Sequence, residues 1–214
     1  MSINTGSYVN GRWYHPKSER MVRNINPADT RDTIGEFPMA TAQDALQAIE
    51  AAKAAFPRWR KVPAPERGRV IWRAAEIARR RTDEIARTMT REEGKILREA
   101  RGEVLKGISL LEYYAGAGYR ISGKTLPSEA RDCFTYTIRQ PLGVVGLIAP
   151  WNFPWAIPVW KSAPAIVAGN TTIFKPATLT PATAALLAEI YEEAGPWGCS
   201  HLVSWLKPGC PHAG

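Results

Sequence analysis

Apolar and polar residues follow two different periods along this chain, and the change of period divides it. Between residues 7 and 37 the apolar positions come in short runs that read as strands. Tyr8-Val9-Asn10-Gly11-Arg12-Trp13 sets Asn-Gly between apolar residues. Asn and Gly tolerate the positive φ that a type I′ hairpin turn requires. Asn26-Pro27-Ala28-Asp29 is a second turn, leading into Thr33-Ile34-Gly35. The spacing then becomes helical. Thr41 as N-cap, with Asp44 three residues on, predicts a helix to about Phe56, where Pro57 stops it. Pro63 and Pro65 open the next helix. Val70, Ala74, Ile77, Ala78 and Ile85 fall on one of its faces, and Gly94-Lys95 breaks it. A further helix covers roughly Leu97–Ala115. A Gly-, Ser- and Pro-punctuated stretch runs from Gly116 to Asp132, and Phe134–Arg139 alternates as a strand does.

The next segment reads strand, helix, strand, helix: Val144–Ala149, Trp155–Ala168, Thr171–Phe174 and Thr180–Ala194. Val144–Ala149 is nearly all apolar, as a buried parallel strand is. This βαβα order predicts an α/β fold with a Rossmann-like parallel sheet and flanking helices, preceded by the N-terminal hairpin. The chain's 214 residues, 45% of them hydrophobic, suffice for one large domain with a sizeable core.

Charge and cysteine count narrow the function classes. The formal net charge is +8, much of it in helical stretches such as Arg79-Arg80-Arg81, which read as a solvated helix face and not as a nucleic-acid surface. No apolar run approaches a membrane span, and the first residues lack the pattern of a signal peptide. Three cysteines, Cys133, Cys199 and Cys210, give no disulfide framework. A reducing, cytoplasmic setting is expected. The last nineteen residues, 196–214, change character: they hold two of the three Cys, two of the three His and no Asp or Glu.

Four stretches suggest chemistry. Gly118–Thr125 matches the phosphate-loop pattern G-x-x-x-x-G-K-[ST], but that loop needs a strand before it and a helix after it. Here a helix precedes and a strand follows, so a glycine-rich connection is expected, and an ATPase reading fails on context. Pro150-Trp151-Asn152-Phe153-Pro154 lies where a strand ends and a helix begins, the edge at which open parallel sheets bind ligands. Asn152 there is either an amide donor to a developing oxyanion or a helix cap. Lys175, at the end of the next strand, is either a cation aimed at the same crevice or an ordinary solvated surface lysine. Finally, Cys199-Ser200-His201 and Cys210-Pro211-His212 repeat a C-x-H pair, but the spacing departs from common zinc sites, so no metal is expected.

Together these pieces resemble the aldehyde dehydrogenase superfamily. The match is carried by Tyr8–Trp13, Asn26-Pro27-Ala28, Glu93-Gly94-Lys95 with Glu103-Val104, Gln140–Val145, Pro150–Pro154, Trp160-Lys161, Pro164-Ala165, Gly169-Asn170 and Lys175-Pro176-Ala177 with Thr180-Pro181. Order and spacing hold from about residue 7 to Gly195. The resemblance implies an incomplete aldehyde dehydrogenase fold: a cofactor-binding part over 1–195, with oligomerisation strands near 123–142, and a tail over 196–214 outside the family pattern. It implies that Asn152 is the oxyanion-hole amide and that Lys175 bonds the adenosine ribose. Ile148, Ala149, Pro150 and Trp151 form the wall beside the nucleotide, and Lys161 sits near the active centre. Many NAD-preferring members carry Glu where this chain has Thr178. A neutral Thr does not repel a 2′-phosphate, so NADP is expected to be accepted alongside NAD.

The family oxidises an aldehyde to a carboxylic acid through a cysteine thiolate and a glutamate base. The resemblance places both beyond the region matched here, and none of the three cysteines is assigned as nucleophile. The chain is therefore expected to be an inactive fragment of a homo-oligomeric, NAD(P)-dependent oxidoreductase acting on an aldehyde. The switch at Pro196 reads as a shifted frame. The alternative is a non-enzymatic dinucleotide-binding or assembly module.

Overall fold

The computed structural model describes residues 3–16 and 20–195, and the backbone of 201–203. Its elements are β1 (Ser7–Val9), β2 (Arg12–Tyr14), β3 (Met21–Ile25), β4 (Thr33–Pro38), α1 (Ala42–Trp59), α2 (Ala64–Arg80), α3 (Thr82–Glu93), α4 (Leu97–Ala117), β5 (Thr125–Leu126), β6 (Thr135–Tyr136), β7 (Val144–Ile148), α5 (Ala156–Val167), β8 (Thr171–Lys175), α6 (Pro181–Ala194) and β9 (His201–Val203).

The central sheet has strand order β2-β1-β9-β8-β7. Strands β7, β8 and β9 run parallel, and β1 joins β9 antiparallel. The first hairpin thus extends the parallel sheet. Its turn has Asn10 at φ 50° and Gly11 at φ 77°, the left-handed pair that a two-residue hairpin demands. β9 falls inside the compositionally distinct segment 196–214, where no strand was expected. Two further antiparallel ribbons, β3-β4 and β5-β6, stand outside this sheet.

Helix boundaries follow the sequence, with two corrections. α1 begins in the expected capping box: the Thr41 hydroxyl accepts from Asp44 N–H at 3.3 Å, and Thr41 N–H donates to the Asp44 carboxylate at 2.7 Å. It does not stop at Pro57, which lies inside the last turn. Proline removes one backbone donor there. Trp59 holds the turn, its indole N–H donating to the Ile166 carbonyl at 3.1 Å. The single helix expected up to Gly94 is two, α2 and α3, broken at Arg81 (φ −97°, ψ 14°). The Arg81 guanidinium pairs with Glu84 and with Glu189 of α6, each at 2.7 Å. The rest of the basic run is also paired: Arg79 with Glu112 and Arg80 with Glu193.

The core lies where α2, α4, α5 and α6 meet, with Ile71, Ile108, Leu111, Ile166, Leu186 and Ile190 fully buried. α6 is buried at every position from Pro181 to Ala188, as a helix apolar on all sides must be. α4 and α5 approach closely because Gly107 has no side chain; a Cβ there would collide with the buried Trp155 indole. A third correction concerns β7. Its apolar run predicted burial on both faces, but the strand is the sheet's edge, and within it only Leu147 is buried. The expected strand at 134–139 shrinks to Thr135–Tyr136, paired with β5.

Candidate functional site

The turns that follow β7 and β8 lie side by side. Ile148, ending β7, is in register with Lys175, ending β8. Ala149 N–H donates to the Lys175 carbonyl at 3.4 Å. The carboxyl ends of two parallel strands thus bring Ile148, Ala149, Pro150, Trp151 and Asn152 to the same edge as Lys175 and Thr178.

The β7–α5 turn is held from below by buried charge. Glu103 of α4 accepts from the backbone N–H groups of Trp155 and Ala156, both at 3.0 Å. It thereby satisfies donors that a helix start leaves open, and its negative charge meets the positive end of α5. Lys95 pairs with Glu103 and with Glu93, the latter at 2.8 Å. Lys95 also donates to the Asn152 carbonyl at 3.0 Å and lies over the Phe153 ring at 4.6 Å. Burial works against the Lys95 charge, but Glu103 and Glu93 hold its pKa above the ordinary lysine value. The arrangement bears on the cap reading of Asn152. A carboxylate on another helix caps α5, and the exposed Asn152 amide makes no hydrogen bond among the described residues.

Lys175 is half-buried and forms no ion pair among the described residues. Burial alone pushes its pKa down. A partly desolvated cation without a counter-charge favours an acceptor oxygen from a ligand. Thr178 is exposed and shares with Trp151 and Leu179 a cleft of about 320 Å³, lined also by Val22–Ile25, Glu92 and Glu93. Beside this rim, Lys161 donates to the Ile148 carbonyl at 2.5 Å. The rim is strongly apolar at its surface: Ile148 is 67% exposed, Trp151 53% and Leu179 63%.

Glu92 was not singled out by the sequence. It is fully buried and accepts from Ala182 N–H (2.5 Å), Thr183 N–H (2.9 Å), Thr183 hydroxyl (2.7 Å) and Asn24 amide (2.7 Å). It caps α6 and ties the start of that helix, just after Thr178, to β3. Burial pushes its pKa up to about 7 against those four donors. Nothing in the local sequence marks Glu92 or Glu103 as caps, because both act on helices far along the chain.

Gly118–Thr125 behaves as a connection: α4 precedes it and β5 follows, so it lies at no helix N-terminus. Cys133 is exposed between β5 and β6, away from Asn152 in the chain. No cluster of three metal-ligating side chains occurs among the described residues. Cys199, Cys210, His212 and the His201 side chain lie outside the described residues.

Known proteins share this arrangement. The family model described as "Aldehyde dehydrogenase family" matches residues 13–205, past the composition change at Pro196. An alpha-ketoglutaric semialdehyde dehydrogenase of Bacillus subtilis is 48% identical over 92% of this chain and 41% of its own length. A 2,5-dioxopentanoate dehydrogenase of Saccharolobus solfataricus is 44% identical over 90% of this chain and 40% of its own. The solved structure of an E. coli NADP-dependent enzyme superposes with a TM-score of 0.92 at 37% identity, covering 97% of this chain and 43% of that one. This chain spans about two fifths of the length of the curated relatives it matches. It belongs to the aldehyde dehydrogenase family.

Proposed function

We propose that this chain supplies the dinucleotide-binding rim and one oxyanion donor of an NAD(P)-dependent enzyme that oxidises an aldehyde to a carboxylic acid. The observation that carries this reading is that the Asn152 amide, without a hydrogen bond among the described residues, lies on the same sheet edge as Lys175, without an ion pair among them. Lys175 would bond ribose hydroxyls, and Ile148, Ala149, Pro150 and Trp151 would wall the nucleotide. Thr178 would admit a 2′-phosphate, so NADP is accepted alongside NAD. The nicotinamide, when bound, supplies the hydride acceptor. Asn152 would donate to the carbonyl oxygen as negative charge develops there, an effect often worth about 3 kcal/mol. Lys95 and Glu103 hold the loop that presents it.

The names of the two relatives above support a semialdehyde that also bears a carboxylate as the substrate class. Exposed Phe134, Tyr136 and Ile138, in and beside β6, support assembly with further copies. The cysteine usage supports a cytoplasmic setting. We assign no thiol nucleophile and no general base to this chain.

The test is a titration of the purified chain with NADP and NAD, followed by tryptophan fluorescence. Saturable binding is expected, weakened about tenfold by Lys175→Met through loss of a charge-assisted hydrogen bond. Equal affinity of the variant, or no binding, would overturn the reading. Adding aldehyde to the chain with cofactor should give no rise at the absorbance of the reduced nicotinamide; a rise proportional to protein would contradict the assignment of no nucleophile.

A further inference from the structure

The carboxylate of a semialdehyde needs a partner, and the structure offers a cation in a cleft lined by Phe153, the chain neighbour of Asn152. We propose that Lys106 is the specificity residue that receives the substrate's distal carboxylate; this rests on the reading of Asn152 as the oxyanion donor. Glu99, Gly102 and Lys106 lie at helical spacing along one face of α4. That face, with Lys95 and Phe153, lines a second cleft of about 320 Å³. Phe153 follows Asn152 directly, so the cleft opens next to the position assigned to the reacting carbonyl.

The two lysines of this cleft differ in their charge balance. Lys95 is neutralised by Glu93 and Glu103 and is committed to holding the loop. Lys106 is exposed and forms no ion pair among the described residues. Its ammonium sits 5.8 Å from the centroid of the Trp160 ring, so the aromatic face of α5 steadies it without cancelling its charge. Glu99 lies two helical turns away along α4, on the order of 10 Å. Phe153 and Trp160, both about half exposed, supply an apolar wall for the methylene chain between the two ends of such a substrate. A neutral aliphatic aldehyde would use the same wall and gain nothing from Lys106.

The probe is 2-oxoglutarate, the dicarboxylate that oxidation of a 2,5-dioxopentanoate would yield. It is titrated into the purified chain with the Trp160 indole signal followed by NMR, alongside a separate NADP titration. Saturable binding is expected, weakened about tenfold in Lys106→Met and retained in Lys106→Arg, since either cation can pair with a carboxylate. The neutral diamide of 2-oxoglutarate should not discriminate between the proteins. Both substitutions keep a good helix former at an exposed position, and unchanged thermal unfolding verifies the fold. Equal 2-oxoglutarate affinity in Lys106→Met overturns the proposal. So does absence of 2-oxoglutarate binding while NADP binds, which leaves the cofactor reading intact. Failure of NADP with Lys106-dependent carboxylate binding preserved overturns the dinucleotide reading and leaves this one standing.

Discussion

The Asn152 side-chain amide makes no hydrogen bond among the described residues, and Glu103, on a different helix, satisfies the first donors of α5. Spacing along the chain could not decide between cap and oxyanion donor, since an Asn before a helix fits both. Glu103 is distant in sequence, and only the packing of α4 against α5 brings it to the start of α5. Lys175 was legible as a cation at a strand end; its half-burial without an ion pair among the described residues was not, because that depends on neighbouring elements. Under the proposed function, Thr178 is the position where residue chemistry bears on cofactor choice. Installing a carboxylate by Thr178→Glu would repel a 2′-phosphate and accept bonds from ribose hydroxyls. The ratio of NADP to NAD affinity should fall by about tenfold or more, as like charges in one site demand. An unchanged ratio in paired titrations would place the 2′ position away from Thr178.

At the scale of elements, the periodicities named most helices and strands correctly but misjudged where interruptions fall. Pro57 was tolerated because a helix can lose one donor in its final turn while Trp59 anchors that turn. The α2–α3 break carries no proline or glycine; Arg81 makes it by reaching Glu84 and Glu189, a tertiary cause invisible locally. α6 is fixed at its start by Glu92, and this yields a pH dependence with a definite sign. Burial holds Glu92 at about 7 in the folded chain, above the 4.5 of a free glutamate. Folding therefore binds a proton between those values, so this group's contribution is fully present below the lower value and lost as pH rises through the upper one. Urea unfolding of the chain should show stability falling from about pH 5 to about pH 8, with Glu92→Gln flattening that slope. A slope unchanged by the substitution would mean that Glu92 is already ionised at low pH.

Across the whole molecule, the first hairpin, the strand-helix alternation and β9 combine into one five-stranded sheet. The βαβα order made its parallel half legible. Its extension by β9 and the hairpin was not, because residues 196–214 show no period and hairpins do not announce which edge they join. The same limit explains β7, whose apolar run is read as interior yet forms the sheet edge. Ile148, Trp151, Phe153, Trp160 and Leu179 form an exposed apolar set around the two turns, broken by the Asn152 amide and the Lys175 and Lys106 cations. Mostly apolar walls with a few placed polar groups are what small-ligand sites require. Under the proposed function, a dinucleotide binds at this edge. Hydrogen–deuterium exchange of the chain with and without NADP tests it directly. Protection confined to the turns after β7 and β8, with Gly118–Thr125 unaffected, is the predicted result; protection elsewhere, or none at saturating NADP, would contradict it.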